Sequence, residues 1–203
     1  MKPPSTMGLL AAGLLASAIA VARPARGDAG IAVADAIVAA ACDRMSAITD
    51  AHWHKGEYNH IIRLCRVVVS GEPDAITAYS DAAWLLWSLG RDSEAVQLYE
   101  AGLKANPATY QFYHEIGYYY FNHVKDYRKA LGYLEQAVSK PDCPVFVLHI
   151  LAHSYERLGD GARAIATWQK AADDPRNPAR PTALRNLQRI KANGPTLAKP
   201  GSK

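Results

Sequence analysis

His149 and His153 stand four residues apart in the run His149-Ile150-Leu151-Ala152-His153. On a helix that spacing turns both imidazoles to one side, where two nitrogens can share a metal ion. With His114 alongside on a neighbouring helix, three nitrogens could converge on zinc or copper. A zinc hydrolase of the H-E-x-x-H type needs a glutamate directly after the first histidine as general base, and Ile150 holds that place. The chemistry open to His114, His149 and His153 is therefore metal binding without hydrolysis. Otherwise they are polar partner contacts that gain charge at mildly acidic pH. His52 and His54 alternate in Ala51-His52-Trp53-His54-Lys55, so they diverge on a helix and read as hairpin-end residues. The chain has no G-x-x-x-x-G-K-[ST] phosphate loop and no G-x-S-x-G elbow. Asp81, Glu115 and Glu156 read as partner contacts, not as an acid–base pair. No enzyme and no cofactor is expected.

The elements that must carry these residues follow a 34-residue period. Gly56 and Gly90 are 34 apart, as are Pro73 and Pro107, Ala130 and Ala164, Leu134 and Trp168, and Ala137 and Ala171. A fixed step of this length is the mark of stacked helical hairpins. In the clearest unit, residues 145–158 form one helix, Gly159-Asp160-Gly161 break it, and residues 162–172 form the next. Leu148, Leu151, Ala152 and Tyr155 recur at helical spacing on the first; Ala164, Ile165, Trp168 and Ala171 do so on the second. Neither helix buries its apolar face alone, so neighbouring units must cover it.

The run L-x-x-L-A-x-x-Y-x-x-x-G-D-G-x-x-A-x-x-x-W-x-x-A from Leu148 to Ala171 resembles the tetratricopeptide repeat family. The preceding unit supplies Tyr113, Ile116, Gly117, Tyr120, Tyr127, Ala130, Leu134 and Ala137, with one extra residue in its turn, since Ala95 to Ala130 is 35. The second unit offers Tyr79, Ala82, Ala83, Gly90, Ala95, Tyr99 and Pro107, with Gly102 where the family usually has Ala. The first keeps Gly56, Tyr58, Ile61, Cys65, Val68 and Pro73, while Met45 and His52 replace larger residues. The resemblance implies an all-α, right-handed superhelical solenoid of four helix-turn-helix units over residues 42–178, divided at 42–75, 76–109, 110–144 and 145–178.

In that family the first helices of successive units line a concave groove that receives a peptide or a partner's helix. Carried onto this chain, the groove rows are Ser46, Ser80, His114 and His149; Asp50, Trp84, Tyr118 and His153; and Trp53, Trp87, Phe121 and Glu156. The expected site is therefore Ser80, Trp84, Trp87, His114, Tyr118, Phe121, His149 and His153. Those rows lack the Lys, Arg and Asn with which some members clamp a C-terminal carboxylate. Large rings there favour burial of an apolar or extended protein segment, although the same rings could simply pack between units.

Hydrophobic residues make up 49% of the chain and charged ones 21%, enough for a packed core and against wholesale disorder. At a formal net charge of +4, with Lys and Arg scattered, nothing resembles a nucleic-acid stripe. Lys2, the apolar stretch Met7 to Ala22 and its A-x-A endings read as an export signal over residues 1–22, cleaved or kept as an anchor. This places the expected protein in the periplasm or outside the cell. Residues 23–41 are expected to be partly helical, 179–193 to form a capping helix, and 194–203 to be a disordered tail. Three cysteines form no disulfide framework. Cys42 and Cys65 would face each other across one hairpin, as two buried thiols or as a bridge.

Overall fold

The computed structural model describes residues 29–197. Helices α1 (Ala29–His54), α2 (Tyr58–Gly71), α3 (Ile76–Ser88) and α4 (Asp92–Ala105) form the first two hairpins. Helix α5 (Gln111–Tyr118) runs on as a π-helical turn (Tyr119–Val124) and pairs with α6 (Tyr127–Val138). Helices α7 (Val147–Arg157) and α8 (Gly161–Asp173) form the fourth hairpin, and α9 (Arg180–Asn193) follows it. Each helix packs chiefly on its neighbours in the chain, which makes the whole a helical solenoid. There are no strands among the described residues.

The turns explain the glycine spacing. Gly56, Gly90 and Gly159 have φ of 72°, 76° and 82°, a left-handed conformation that costs glycine nothing. Each ends its helix with the same pair of bonds: Gly90 donates to the Trp87 carbonyl (3.0 Å) and Arg91 to the Leu86 carbonyl (2.9 Å). Gly56 with Glu57, and Gly159 with Asp160, repeat that pair at 2.9–3.0 Å. The next helix then starts at once. Asp126 and Asp160 cap α6 and α8 by accepting from the Lys129 and Arg163 amides, each at 3.0 Å.

The third turn differs because it holds the extra residue. The backbone absorbs it as the π-helical turn, and Lys125, at φ 64°, takes the left-handed position that glycine fills elsewhere. The insertion therefore widens one helical turn and leaves the stacking intact.

Packing along the array alternates small residues with large rings. Ala82, Ala83, Ala95, Ala130, Ala152 and Ala164 are fully buried where helices approach closely, and Tyr99, Phe112, Leu134 and Trp168 fill the space between them. Gly102 departs from the family's Ala for a steric reason: a Cβ there would lie 2.5 Å from the Phe112 ring. That ring, from the third unit, has taken the volume. Cys42 and Cys65 are buried free thiols.

At the start of the array, residues 31–41 continue α1 without a break, so they extend the first helix and do not fold back on it. Val33 and Ile37 remain exposed there. At the other end α9 covers the last hairpin through Ala183, Leu187 and Ile190. The expectation of a disordered tail from residue 194 is corrected over 194–197. Thr196 donates its amide to Glu156 (3.1 Å), and Arg157 donates to the Leu197 carbonyl (3.3 Å). Residues 198–203, and the export signal read at 1–22, lie outside the described residues. No helix among the described residues is long and apolar enough to cross a membrane.

A left-handed lysine costs roughly 1–2 kcal/mol, part of which glycine returns through its freer unfolded chain. Lys125→Gly is expected to stabilise the protein by about 0.5–1 kcal/mol, visible as a melting point raised by ~1–4 °C in thermal denaturation. Lys125→Val should lower it.

Candidate functional site

The inner surface is built from α1, α3, α5 and α7, each supplying one face to the core and one to the groove. On α3 the core face is Ala78, Tyr79, Ala82, Ala83, Leu85 and Leu86, while Asp81 is exposed and Trp84 half-buried on the groove side. A hollow of about 280 Å³ opens between α1 and α3, lined by Thr49, Asp50, Trp53 and Asp81, with Ile61 of α2. Beside it the rings of Trp53 and Trp84 lie 5.7 Å apart, tilted by 31°. Both are partly buried and retain exposed surface.

Further along, His114 and Tyr118 continue the lining of α5, their rings 6.2 Å apart. Both, like Ser80, are partly buried. The ring of Phe146 meets His114 edge-on at 5.2 Å, and Nε2 of His114 is buried without a hydrogen-bond partner. Burial holds that imidazole neutral, down to about 4.

Three expected groove residues turn out to be committed elsewhere. Trp87 donates Nε1 to the Tyr99 hydroxyl (3.4 Å) and packs on Tyr119 and His123. Phe121 packs edge-on against Tyr127 (5.4 Å) and joins the core under the third and fourth units. Glu156 is 1% exposed and is held by both Nη2 contacts of Arg189 (2.7 and 2.8 Å), by Trp168 Nε1 (2.8 Å) and by the Thr196 amide. It is an internal latch between α7 and α9 and meets no partner. Its carboxyl is lowered, because these donors outweigh the burial that opposes them.

The histidines of α7 are engaged with their own neighbours. His149 and His153 meet the Trp168 ring edge-on at 5.2 and 4.8 Å, His149 Nε2 lies 3.1 Å from Asn177 Nδ2, and His153 Nδ1 lies 3.6 Å from Glu156. Among the described residues no three His, Cys, Asp or Glu side chains are grouped to hold an ion. Burial lowers both pKa values, with Asn177 and Glu156 opposing it, so charging at mildly acidic pH is corrected to charging only at lower pH. His52 closes its hairpin end by a 2.6 Å contact to Glu57, as the alternating spacing suggested.

Two carboxylates outside the expected rows turn out to matter. Glu115, one repeat after Asp81, accepts a bond from the Tyr99 hydroxyl (3.4 Å). Burial pushes its carboxyl up to about 7, the Tyr99 bond lowering it and the charge of Asp81 raising it further. Asp81 opens to water at the rim of its hollow, yet the surrounding walls raise its own carboxyl. The sequence already offered both as partner contacts, and they stand 34 residues apart, one repeat.

The family model described as "Tetratricopeptide repeat" matches residues 76–109, the second hairpin and its following turn. Residues 76–109 are a tetratricopeptide repeat. The same fold recurs in MamA residues 41 to the end from Desulfovibrio magneticus RS-1, at 18% identity and a TM-score of 0.60 over 76% of this chain and 86% of that one. It recurs in YrrB, a tetratricopeptide-repeat protein with an unusual peptide-binding site, at 15% identity and 0.57 over 76% and 77%. PilW, a widely conserved type IV pilus biogenesis factor, matches at 14% identity and 0.60 over 75% and 70%. No curated protein matches the chain. At these identities the likeness is one of fold.

The Glu115 environment makes a pH prediction for the repeat array. A carboxyl whose folded pKa lies above its unfolded value holds more protons when folded. Stability therefore falls as pH rises from about 4.5 through about 7, and the full cost applies above that. Glu115→Gln removes the charge and keeps the shape. It should raise the unfolding free energy at pH 8 by about 1–2 kcal/mol, after discounting for partial exposure, and leave it nearly unchanged at pH 4. Urea titrations at the two pH values measure the difference.

Proposed function

We propose that this chain is a non-enzymatic tetratricopeptide-repeat scaffold whose inner groove holds an extended segment, or a helix, of another protein. The observation that carries this reading is the partly exposed Trp53–Trp84 ring pair beside an open hollow. Tryptophan rings cover much area with few rotatable bonds, so a partner gains contact at small entropy cost. Tyr118 and Ser80 extend the lining on the neighbouring helices. YrrB, with the same fold, has a peptide-binding site, which supports the reading by analogy of architecture. A carboxylate clamp is disfavoured, because α3 and α5 contain no Lys, Arg or Asn.

A random peptide library displayed on phage, panned on the full chain, tests the groove. Selected peptides should bind the native chain and lose affinity by about ten-fold or more for a folded Trp84→Ala/Tyr118→Ala variant, since each ring carries on the order of 1–2 kcal/mol. Equal binding to both would place the interface on the outer face or the ends.

The same scaffold is proposed to work in the cell envelope. The reading rests on the export-signal pattern at residues 1–22, and a protein of the same fold is a type IV pilus biogenesis factor. Mass determination of the chain recovered from envelope fractions is expected to show an N-terminus after Ala20 or Ala22, or an uncleaved anchor fractionating with membranes. An intact chain found only in the soluble cell interior would overturn it.

A further inference from the structure

Charge is sorted between the inner and outer helices of this protein. Neither α3 nor α5, with the π-helical turn that extends α5, contains a Lys or an Arg; their acidic residues are Asp81 and Glu115. Four arginines of the outer helices and turns are occupied with acids of their own. Arg66 and Arg91 hold Glu94, Arg163 holds Asp160 and Glu135, and Arg176 holds Asp174. Among the described residues no ion pair reaches Asp81 or Glu115, although the chain as a whole is basic, at +4. Asp50, on the far side of the hollow from Asp81, has only the exposed His54 of its own helix within reach (3.5 Å).

A carboxylate drawn partly out of water without a counter-charge is unfavourable, and it is relieved by a cation that replaces the lost water. The negative field is concentrated here: the charge of Asp81 is felt at Cys65, Tyr99 and Glu115. Beside these acids stand the faces of Trp53 and Trp84, and an aromatic face attracts an ammonium or guanidinium through its quadrupole. The long apolar stem of a lysine or arginine has the same rings to lie on. Each feature alone is ordinary. Together, in one groove without a single inner-helix cation on α3 or α5, they are complementary to a single kind of side chain.

Resting on the reading of this groove as a peptide site, we infer that its occupant is a cationic segment, an extended stretch whose Lys or Arg side chains reach Asp50, Asp81 and Glu115 while their stems lie on Trp53 and Trp84. Asp81 and Glu115 sit one repeat apart on adjacent inner helices, whose axes are about 10 Å apart in such packing. That is about three residues of extended chain at ~3.3 Å each, so cations at every third position match the spacing. An acidic segment is excluded by the same field.

The test uses the full chain and three fluorescent peptides of identical length, repeats of Lys-Val-Gly, Gln-Val-Gly and Glu-Val-Gly, followed by anisotropy. The lysine peptide should bind about ten-fold or more tightly than the glutamine peptide, and the glutamate peptide more weakly than either. Asp81→Asn/Glu115→Gln should abolish the lysine preference, and Asp81→Lys/Glu115→Lys should turn it toward glutamate. Helical circular dichroism and melting confirm that both variants are folded. A lysine preference unchanged in these variants overturns the inference, because the cations would then be held elsewhere. Equal binding of all three peptides, lost in Trp84→Ala/Tyr118→Ala, also overturns it while leaving the peptide groove standing. If none of the three binds, the cationic occupant is rejected, and the phage-selected peptides alone decide the groove.

Discussion

Each hairpin in this chain has an apolar face that it cannot cover, and the fold exists because the next hairpin covers it. Phe112 shows how tight that dependence is. Its ring, from the third unit, fills the space above Gly102 of the second and meets Tyr79 edge-on at 5.7 Å. The second unit would have a void there if it stood alone. Stacking also fixes which inner positions are free. The small residues Ala82, Ala83, Gly117 and Ala152 are taken by helix approach, so only the side chains between them can vary with function.

The two ends of the array resolve the same constraint differently. At the C-terminal end α9 lies over the last hairpin, and Arg189 reaches through to Glu156. A buried carboxylate of this kind needs its donors, and it has four contacts from Arg189, Trp168 and Thr196. The latch seals the fourth unit, with His149 and His153 drawn against Trp168 and Asn177. At the N-terminal end α1 runs past its partner α2 and leaves Val33 and Ile37 bare. The hollow of the inner surface opens between α1 and α3, which carry Asp50 and Asp81, and Glu115 follows on α5.

How much of this was legible in the sequence follows from what kind of residue carries each feature. The hairpins were legible because packing residues recur: a Gly at the turn, an Ala at the helix contact and a ring beside it are imposed on every unit by the same geometry. The groove was legible only in part. Trp84, Tyr118 and Ser80 keep exposed surface, but stepping through the repeat also assigned Trp87, Phe121 and Glu156 to the groove. Whether a side chain at such a position faces outward depends on what stands opposite, and Arg189 lies 33 residues from Glu156. No local pattern announces that distance. The histidine pair shows a related limit: spacing on one helix says nothing of Trp168, which both rings meet edge-on, or of Asn177 beside His149.

The inserted residue of the third unit decides what Trp87 packs against. The π-helical turn carries Tyr119 and His123 toward the start of α4, where both reach Asp92: the Tyr119 hydroxyl donates at 3.0 Å, and His123 Nε2 lies 2.7 Å away. Asp92 is in the first turn of α4, where the helix dipole favours a negative charge and steadies the contact. The His123 ring then lies 5.0 Å from Trp87, which is held on its other side by Tyr99. Without the extra residue the chain would have to make this turn as the other units do, and nothing would bring His123 against Trp87. One residue of turn length thus sets Trp87 against Tyr119 and His123, while the Trp53 and Trp84 rings pair beside the hollow.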